Sequence, residues 1–265
     1  MARTPNPIKS DIAWSSTDHI SVRGLDLPNE IIGHLNLGDM AFLELTGRKP
    51  TSQESTLFNA IAVTLVEHGV TPSAIAARMT IAGAPEALQA AVAAGLLGLG
   101  SVFVGSMEHA ATILAQALPY GQVHTNAAVD RLAYEVRARH RAEKRIIPGI
   151  GHPIHKPVDP RATRLFAIAA ETGFHGRYVE LMIKIQERAE AASGRLLPMN
   201  ATGAIGALSC EMGFPPRIVR GFGVLARAIG LVGHIMEELE QPMALEIWHR
   251  VDDEASEEAR KQGKK

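Results

Sequence analysis

Apolar residues recur at spacings of three and four along much of the chain, which is the pattern of a helix with one buried face. The clearest segments are Glu54–His68, Ala162–Thr172, Arg177–Ala192 and Arg217–Glu240. Alternation of apolar and polar residues is rare, and a short strand is expected only at His19–Val22, before a turn at Gly24. Aromatic residues make up only 5% of the chain, which disfavours a large sheet. The pattern therefore predicts an all-α fold with many helices.

Local signals mark where these helices begin and end. Thr51 is followed three residues later by Glu54, the spacing of a capping box at a helix N-terminus. The segment Ile147–Pro153 holds two prolines and two glycines, so it is predicted to be a loop. Pro215–Pro216 is expected to open the next helix. The mostly charged tail Asp252–Lys265 is predicted to be exposed or disordered.

One segment, Ala87–Met107, contains no charged residue and is long enough to cross a bilayer. It is built mainly from Ala and Gly, however, and its flanks are Glu86 and Glu108 rather than a cluster of Lys or Arg. We therefore predict a buried helix whose small residues let neighbouring backbones approach closely. A transmembrane helix is the alternative.

Composition narrows the class of protein. The 265 residues include 27 Lys plus Arg and 28 Asp plus Glu, so the net charge is −1. That balance argues against nucleic acid or an anionic membrane surface as the main partner. The single cysteine, Cys210, excludes an intramolecular disulfide framework and a cysteine-based zinc site. The N-terminus lacks the pattern of a secretory signal, so we expect a cytoplasmic location.

Three histidines lie at predicted helix ends or beside glycine: His68, His109 and His152. A histidine on a glycine-flanked turn can present its ring to a ligand while the backbone comes close. The alternative is a histidine that satisfies carbonyl groups at a helix C-terminus. His152 and His155 are three apart, but they lie in a loop that contains proline, so no metal site is expected.

Two arginines stand in unusual surroundings. Arg161 follows Asp159 and a proline at a predicted helix start, and Arg227 lies within an otherwise apolar helix. A guanidinium on an apolar face needs a partner, and a bound carboxylate would suit it. The alternative is an internal ion pair with a carboxylate of the protein.

Four motifs, taken in order, resemble those of the citrate synthase superfamily. The family's helix end Ala-Asp-His-Gly is similar to Val66-Glu-His68-Gly. Its segment with Gly-His-Arg-Val-Tyr-Lys and Asp-Pro-Arg-Ala is similar to Gly151-His152-Pro-Ile-His-Lys156 with Asp159-Pro-Arg161-Ala. Met199-Asn200-Ala-Thr202-Gly is similar to its Leu-Asn-Val-Asp-Gly segment, and Ala226-Arg227 to His234 is similar to its Ala-Arg helix that ends in histidine. The resemblance runs from about Ser15 to Asp253.

Within the superfamily the chain is most similar to citryl-CoA lyase and to the lyase module of ATP-citrate lyase. It is much shorter than a citrate synthase, and it has the lyase-like start Ile20–Asp26. Synthases carry a histidine that helps to enolise acetyl-CoA where this chain has Phe103, as the lyases do. This difference favours a lyase over a condensing enzyme.

The resemblance implies a citrate synthase-like fold with a cleft between two helical domains. The large domain would comprise residues 1–110 and 222–265, and the small domain residues 111–221. The implied activity is carbon–carbon cleavage of a CoA thioester: citryl-CoA would give acetyl-CoA and oxaloacetate by a retro-aldol step, unless the substrate is a related 3-hydroxyacyl-CoA. CoA would be the only cofactor, with no metal.

The resemblance also implies roles for particular residues. The catalytic group would be His68, His152 and Thr202. The substrate-binding group would be Arg161, Arg227, Phe103 and Asn200. CoA would be bound near Gly149, Gly151, Lys156 and Arg195.

Two departures from the family pattern leave alternatives open. Thr202 stands where the family has a catalytic aspartate, and a hydroxyl is no base near neutral pH, so Glu67, Glu108 or a histidine would have to take that role. Trp248 falls near the family's C-terminal arginine, with Arg250 two residues on. The alternatives are a synthase-type condensing enzyme and a catalytically weak CoA-thioester-binding homologue.

The partners implied are a second copy of the chain, in a homodimer or tetramer, and a separate CoA ligase if citrate itself must be activated. No nucleic acid and no membrane partner is expected.

Overall fold

The computed structural model describes residues 8–121 and 125–263, and nearly all regular structure in them is helical. The helices are α1 (Leu37–Thr46), α2 (Ser52–Val66), α3 (Pro72–Gly83), α4 (Leu88–Leu97), α5 (Gly105–Ala117), α6 (Asn126–Ala142), α7 (Pro160–Thr172), α8 (Arg177–Ser193), α9 (Ala201–Glu211), α10 (Pro216–Glu240) and α11 (Ala244–Gln262). The all-α prediction is confirmed.

A small antiparallel sheet precedes the helices. Its strands are β1 (Ala13–Ser15), β2 (Ile20–Val22) and β3 (Leu25–Asp26), in that order, and Ala13 pairs with Val22. The strand predicted at His19–Val22 is therefore present, but it has a partner on each side. A π-helical turn at Leu27–Ile31 leads from the sheet to the helices.

The four segments with helical periodicity are α2, α7, α8 and α10, and each predicted boundary lies within two residues of the observed one. The capping box at the start of α2 is present: the Thr51 hydroxyl accepts from the Glu54 backbone N–H, and the Glu54 carboxylate accepts from the Thr51 N–H. Arg48 also binds this carboxylate, and it lowers the pKa of Glu54 to about 2.

The core brings both ends of the chain together with its middle. The helix α10 packs against α2, α3, α4 and α5, while α9 packs against α5, α7 and α8. One continuous cluster of buried apolar side chains runs from Phe42 in α1 through Val129 in α6 to Phe222 in α10. This cluster includes residues on both sides of each predicted domain boundary. The division into residues 1–110 with 222–265 and residues 111–221 stays a prediction.

The prediction of one buried helix over Ala87–Met107 is wrong. The chain forms α4, leaves the helix at Gly98 and begins α5 at Gly105, and Val102 in the connection is largely exposed. Glycines interrupt the helix because a glycine loses more conformational entropy than other residues when it becomes helical, and it has no side chain to pack. The expected close approach does occur at Gly95, where a β-carbon would lie 2.6 Å from Leu231 Cδ1 and 3.0 Å from the Ser73 carbonyl.

The charged tail is largely exposed, but it continues as part of α11 to Gln262. Among the described residues, α10 is the one helix that by length and composition alone could cross a membrane. Half of its apolar window is buried inside the protein.

Candidate functional site

A cavity of about 1390 Å³ lies where the end of α2, the α4–α5 connection, the loop before α7, the start of α9 and the middle of α10 meet. The predicted site residues His68, Phe103, Gly149, Gly151, His152, Arg161, Asn200, Thr202 and Arg227 all line it. Lys156 and Arg195 are exposed and are not among the described residues that line it. The same is true of Trp248 and Arg250 on α11. The structure therefore brings most of the predicted residues together, while their roles stay predictions.

The loop that carries His152 is pinned to the start of α9 by backbone pairing. The Asn200 N–H donates to the Gly149 carbonyl (3.0 Å), and the Gly151 N–H donates to the Pro198 carbonyl (2.7 Å). Gly149 has φ +87°, and a β-carbon on it would lie 2.4 Å from Gly203 Cα. Only glycine fits at this crossing, for both reasons.

Asp159 ties the same loop to α7 and α9 together. This fully buried carboxylate caps α7, pairs with the Arg161 guanidinium (2.9 and 3.1 Å) and accepts from the Ala201 N–H (3.1 Å). Burial alone would raise the pKa of Asp159, but these hydrogen bonds hold it below its ordinary value. Asp159 therefore fixes the position of Arg161 at the cavity wall.

His152 presents a proton donor to the cavity. Its Nδ1 accepts from the backbone N–H groups of Ile154 (3.1 Å) and His155 (2.9 Å), so the neutral ring carries its proton on Nε2. Arg161 Nη2 lies 3.4 Å from this Nε2. Two donors this close together are placed to share one ligand oxygen.

His68 lines the same cavity and comes just after α2 ends. Burial lowers the pKa of His68, and the positive charges of Arg161 and Arg227 lower it further. Burial likewise lowers the pKa of His152. Both rings are therefore neutral near pH 7, and the His68 ring is able to accept a proton.

Thr202 and Asn200 open α9 at the floor of the cavity. Asn200 Oδ1 caps the helix by accepting from the Thr202 and Gly203 N–H groups, and it also accepts from the Thr202 hydroxyl (2.6 Å). Asn200 Nδ2 donates to the Gly151 carbonyl (2.8 Å). Thr202 is thus held against its own cap rather than against a histidine.

Arg227 is the most buried cation that lines the cavity, at 9% exposed. Its Nη1 lies 3.5 Å from Glu67 Oε1, and its Nε and Nη1 have no hydrogen-bond partner among the described residues. The internal ion pair considered from the sequence therefore exists but is long. A buried guanidinium with unsatisfied donors is costly unless a ligand completes it.

Several functional candidates escaped the sequence analysis. Arg139, Lys144 and Arg145, at and after the end of α6, also line the cavity and add positive charge to its rim. Arg78 in α3 is fully buried and reaches His234 and, through it, Glu67. The signal for Arg78 was present in the sequence, because it is a lone cation in the apolar run Ala74–Ala82.

Two other alternative bases are less suited to the role. Glu108 pairs with Arg220 at 2.7 Å. His109 lines the cavity but lies within the first turns of α5 rather than at a glycine turn.

Burial raises the pKa of the Cys210 thiol to about 12, so it is no nucleophile. In the described part of the chain, no group of three or more His, Cys, Asp or Glu is placed to hold a metal ion.

Comparison with known families assigns most of the chain to a family. The family model for the C-terminal domain of citrate synthase matches residues 33–248. Among named proteins, the chain is 23% identical over 95% of its length to a probable ATP-citrate synthase of Dictyostelium discoideum. It is 26% identical over 94% of its length to ATP-citrate synthase beta chain protein 1 of Arabidopsis thaliana. The chain spans about two fifths of the length of these relatives, 41% and 42% respectively.

Solved structures give a similar picture. Citryl-CoA lyase from Hydrogenobacter thermophilus has a TM-score of 0.79 and 33% sequence identity, and the match covers 89% of this chain and 88% of that one. ATP citrate lyase from Methanothrix soehngenii, solved with citrate and coenzyme A, has a TM-score of 0.72 at 22% identity, and the match covers 90% of this chain and 40% of that one. The second likeness concerns the fold alone.

Proposed function

Because the chain belongs to the citrate synthase family, we propose that it is a carbon–carbon lyase that cleaves citryl-CoA to acetyl-CoA and oxaloacetate. The observation that carries this proposal is the incompletely satisfied guanidinium of Arg227, which shares a cavity with two neutral histidines and a second arginine. A substrate with several carboxylates and a hydroxyl matches that set of groups. The structural relative with 33% identity is a citryl-CoA lyase, and the match covers nearly the whole of both chains.

The two arginines bind the carboxylates of the oxaloacetate half. Arg161 is oriented by Asp159 and has donors left over, and Arg227 has unsatisfied buried donors. A guanidinium binds a carboxylate with two parallel hydrogen bonds, which fixes orientation as well as charge. Phe103 covers the same cavity with an apolar ring, in keeping with a thioester rather than a charged group beside it.

The cleavage step uses the two histidines differently. His68, neutral and facing the cavity, takes the proton of the tertiary hydroxyl. The hydroxyl oxygen becomes the carbonyl oxygen of oxaloacetate while the adjacent C–C bond breaks. The electron pair of the broken C–C bond passes to the thioester fragment, which leaves as the enolate of acetyl-CoA. The protonated His68 ring then returns a proton to the enolate carbon, which gives acetyl-CoA and restores the neutral base. His152 Nε2–H and Arg161 Nη2 stabilise the negative charge on the oxygen as the hydroxyl proton leaves.

The CoA portion extends towards the basic rim. Gly149 and Gly151 let the thioester arm approach the backbone, and Arg139, Lys144 and Arg145 supply positive charge for its phosphates. Lys156 and Arg195, which were predicted to bind CoA, do not line the cavity, and their role stays a prediction.

The partners also remain proposals. We propose a homo-oligomer, supported by the exposed apolar face of α10 that includes Ile229 and Met236. A CoA ligase partner is also proposed, because the relatives that the chain matches include ATP-citrate synthases. The expected cytoplasmic location stays a prediction.

The experiment is cleavage of citryl-CoA by the purified chain, with oxaloacetate measured through malate dehydrogenase and NADH. We expect turnover in the wild type and a loss of about 10²-fold or more in kcat/KM for Arg227→Lys, because lysine cannot reproduce bidentate binding. Arg217→Lys is the matched control, because Arg217 is exposed on the same helix and outside the cavity. It should behave as the wild type does.

Failure to release oxaloacetate, with CoA thioesters still binding, would exclude citryl-CoA as the substrate. Citrate formation from acetyl-CoA and oxaloacetate, without cleavage, would instead support the condensing alternative. Binding with neither reaction would support the CoA-thioester-binding homologue.

A further inference from the structure

Behind the cavity, a chain of charged and polar side chains runs from α3 through α10 to the end of α2. Arg78 donates from Nη1 to Glu238 Oε2 (3.0 Å), and from Nη2 to Glu237. It also donates to His234 Nδ1 from Nε (3.2 Å) and Nη2 (2.9 Å). His234 Nε2 in turn lies 3.0 Å from Glu67 Oε1. Arg78, His234 and Glu238 are all buried.

This arrangement leaves His234 one tautomer. An arginine has donors and no acceptor, so His234 Nδ1 must be the acceptor of the Arg78 bonds. The ring proton is then on Nε2, and it points at Glu67.

Glu67 is held by three donors on one oxygen. Its Oε1 accepts from the His68 N–H (2.7 Å), the Gly69 N–H (2.7 Å) and His234 Nε2. The close approach of α2 to α10 depends on Gly230, where a β-carbon would lie 2.1 Å from the Val66 carbonyl and 3.0 Å from Glu67 Oε2. Arg227, Gly230 and His234 lie on one face of α10, at spacings of three and four.

The consequence is a carboxylate that forms a long ion pair with Arg227 without a hydrogen bond to it. The separation from Arg227 Nη1 is 3.5 Å, and no hydrogen bond forms. Burial would raise the pKa of Glu67, but the His68 N–H, His234 and Arg227 hold it below its ordinary value. The other charged or titratable groups around this point are Arg161, His68 and His155.

We infer that Arg78 and His234 form a positioning pair that tethers Glu67 away from Arg227, so that the guanidinium stays available to a substrate carboxylate. The charge of Glu67 still steadies Arg227 electrostatically. Without the bond from His234, only the His68 and Gly69 N–H groups would hold Glu67 Oε1, and the carboxylate would shift the short distance to Arg227 and compete with the substrate. This inference rests on the proposed function for its substrate, but the tether itself is a property of the chain.

Two variants of His234 separate its two hydrogen bonds. In His234→Asn the amide oxygen replaces Nδ1 and keeps an acceptor for Arg78, but the donor to Glu67 is lost. In His234→Gln the longer amide replaces Nε2 and keeps that donor. We expect His234→Asn to raise KM for citryl-CoA, and Kd for oxaloacetate, about tenfold, with kcat changed less than about threefold. His234→Gln should recover most of the affinity. His34→Asn, an exposed histidine outside the cavity, is the control.

A purely structural role predicts something else: both variants would lower Tm alike, with no difference in affinity between them. The direct readout is the crystal structure of His234→Asn, in which Glu67 should close onto Arg227 to hydrogen-bond distance. A separation that stays near 3.5 Å would overturn the tether whatever the substrate proves to be. If the wild type does not cleave citryl-CoA while Glu67 closes onto Arg227 in the variant, the proposed function fails and the tether stands.

Discussion

His68 and His152 share their cavity with Arg161 and Arg227, and a positive charge on either ring is disfavoured there. Burial is the largest cause of the lowered pKa of each ring, and neighbouring cations add to it. Both histidines are therefore kept neutral in the range where an ordinary histidine begins to protonate. Chemistry that needs a neutral base and a neutral donor is possible without any metal.

This protonation behaviour predicts the pH dependence of cleavage. Neutral His68 is required as the base, so kcat/KM should fall on the acid side as His68 becomes protonated. Because its pKa is lowered from 6.5, the midpoint of that fall should lie below pH 6.5. The measurement is kcat/KM for citryl-CoA across the acid range, which reports groups of the free enzyme. A midpoint at or above pH 6.5 would contradict His68 as the base.

Substitution of Thr202 distinguishes a lyase that works without the family's catalytic aspartate from a homologue that has lost most of its activity. Its hydroxyl donates to Asn200 at 2.6 Å, so an aspartate there would face the Asn200 oxygen as a second acceptor and turn into the cavity. If His68 is the base, Thr202→Asp should lower kcat by about 10²-fold through the added charge next to the substrate carboxylates. A gain in citryl-CoA cleavage by Thr202→Asp would instead identify a weak homologue that has lost its catalytic aspartate. The conservative control is Thr202→Ser.

At the scale of elements, the loop before α7 and the first turn of α9 act as one unit. Backbone bonds join Gly149 to Asn200 and Gly151 to Pro198, and Asp159 joins both segments to Arg161. His152, Arg161 and Thr202 therefore depend for their spacing on one crossing of two backbones. A disturbance at that crossing should reach all three residues together.

Gly149→Ala tests this unit. The new methyl group would meet Gly203 Cα at 2.4 Å at a φ of +87°. We expect a loss of about 2–4 kcal/mol in the free energy of unfolding from backbone strain plus the clash, with activity largely lost. Gly173→Ala is the matched control, because Gly173 has φ +82° and open space around it. It should cost only about 1–2 kcal/mol, with full activity, in urea unfolding and in the cleavage assay. Equal effects of the two substitutions would show that the crossing is not tight.

At the scale of the whole molecule, α10 has two apolar faces. One packs into the core, and the other exposes Leu225, Ile229, Val232, Met236 and Leu239 at alternating spacings of four and three. Soluble monomers rarely leave such a continuous apolar stripe uncovered. The nearby helix α11 adds exposed Leu245, Trp248 and Val251. A second copy of the chain would bury the same stripe on both partners, as a two-fold interface requires.

The double substitution Ile229→Glu with Met236→Glu should therefore break a homodimer. Charges at two positions along the stripe cannot be buried against their own copies without a large desolvation cost. Light scattering should give twice the chain mass, or a higher multiple, for the wild type and 28.4 kDa for the variant. Leu37→Glu, an exposed leucine at the start of α1, is the control. A monomeric wild type would refute the homo-oligomer.

The sequence by itself determined most of the helices, because their periodicity and caps are local. These signals act over a few residues: the capping box of Thr51 and Glu54, the helix N-cap at Asp159 before Pro160, and the glycine-rich loop before α7. The motif residues His68, His152, Arg161 and Arg227 were also recognisable, since charged or titratable groups beside glycine or within apolar runs need a partner. The break between α4 and α5 escaped, because helix and connection share the same small apolar residues.

Only the tertiary structure decided which of these groups meet. It placed the predicted Lys156 and Arg195 away from the cavity and brought Arg139, Lys144 and Arg145 to its rim. It also joined Arg78 to His234, which lies more than a hundred positions later in the chain, and through His234 to Glu67. Hydrogen bonds are short and directional, so which donors meet which acceptors depends on helix packing. That packing is set by buried side chains and by glycines such as Gly230 and Gly149 at the crossings.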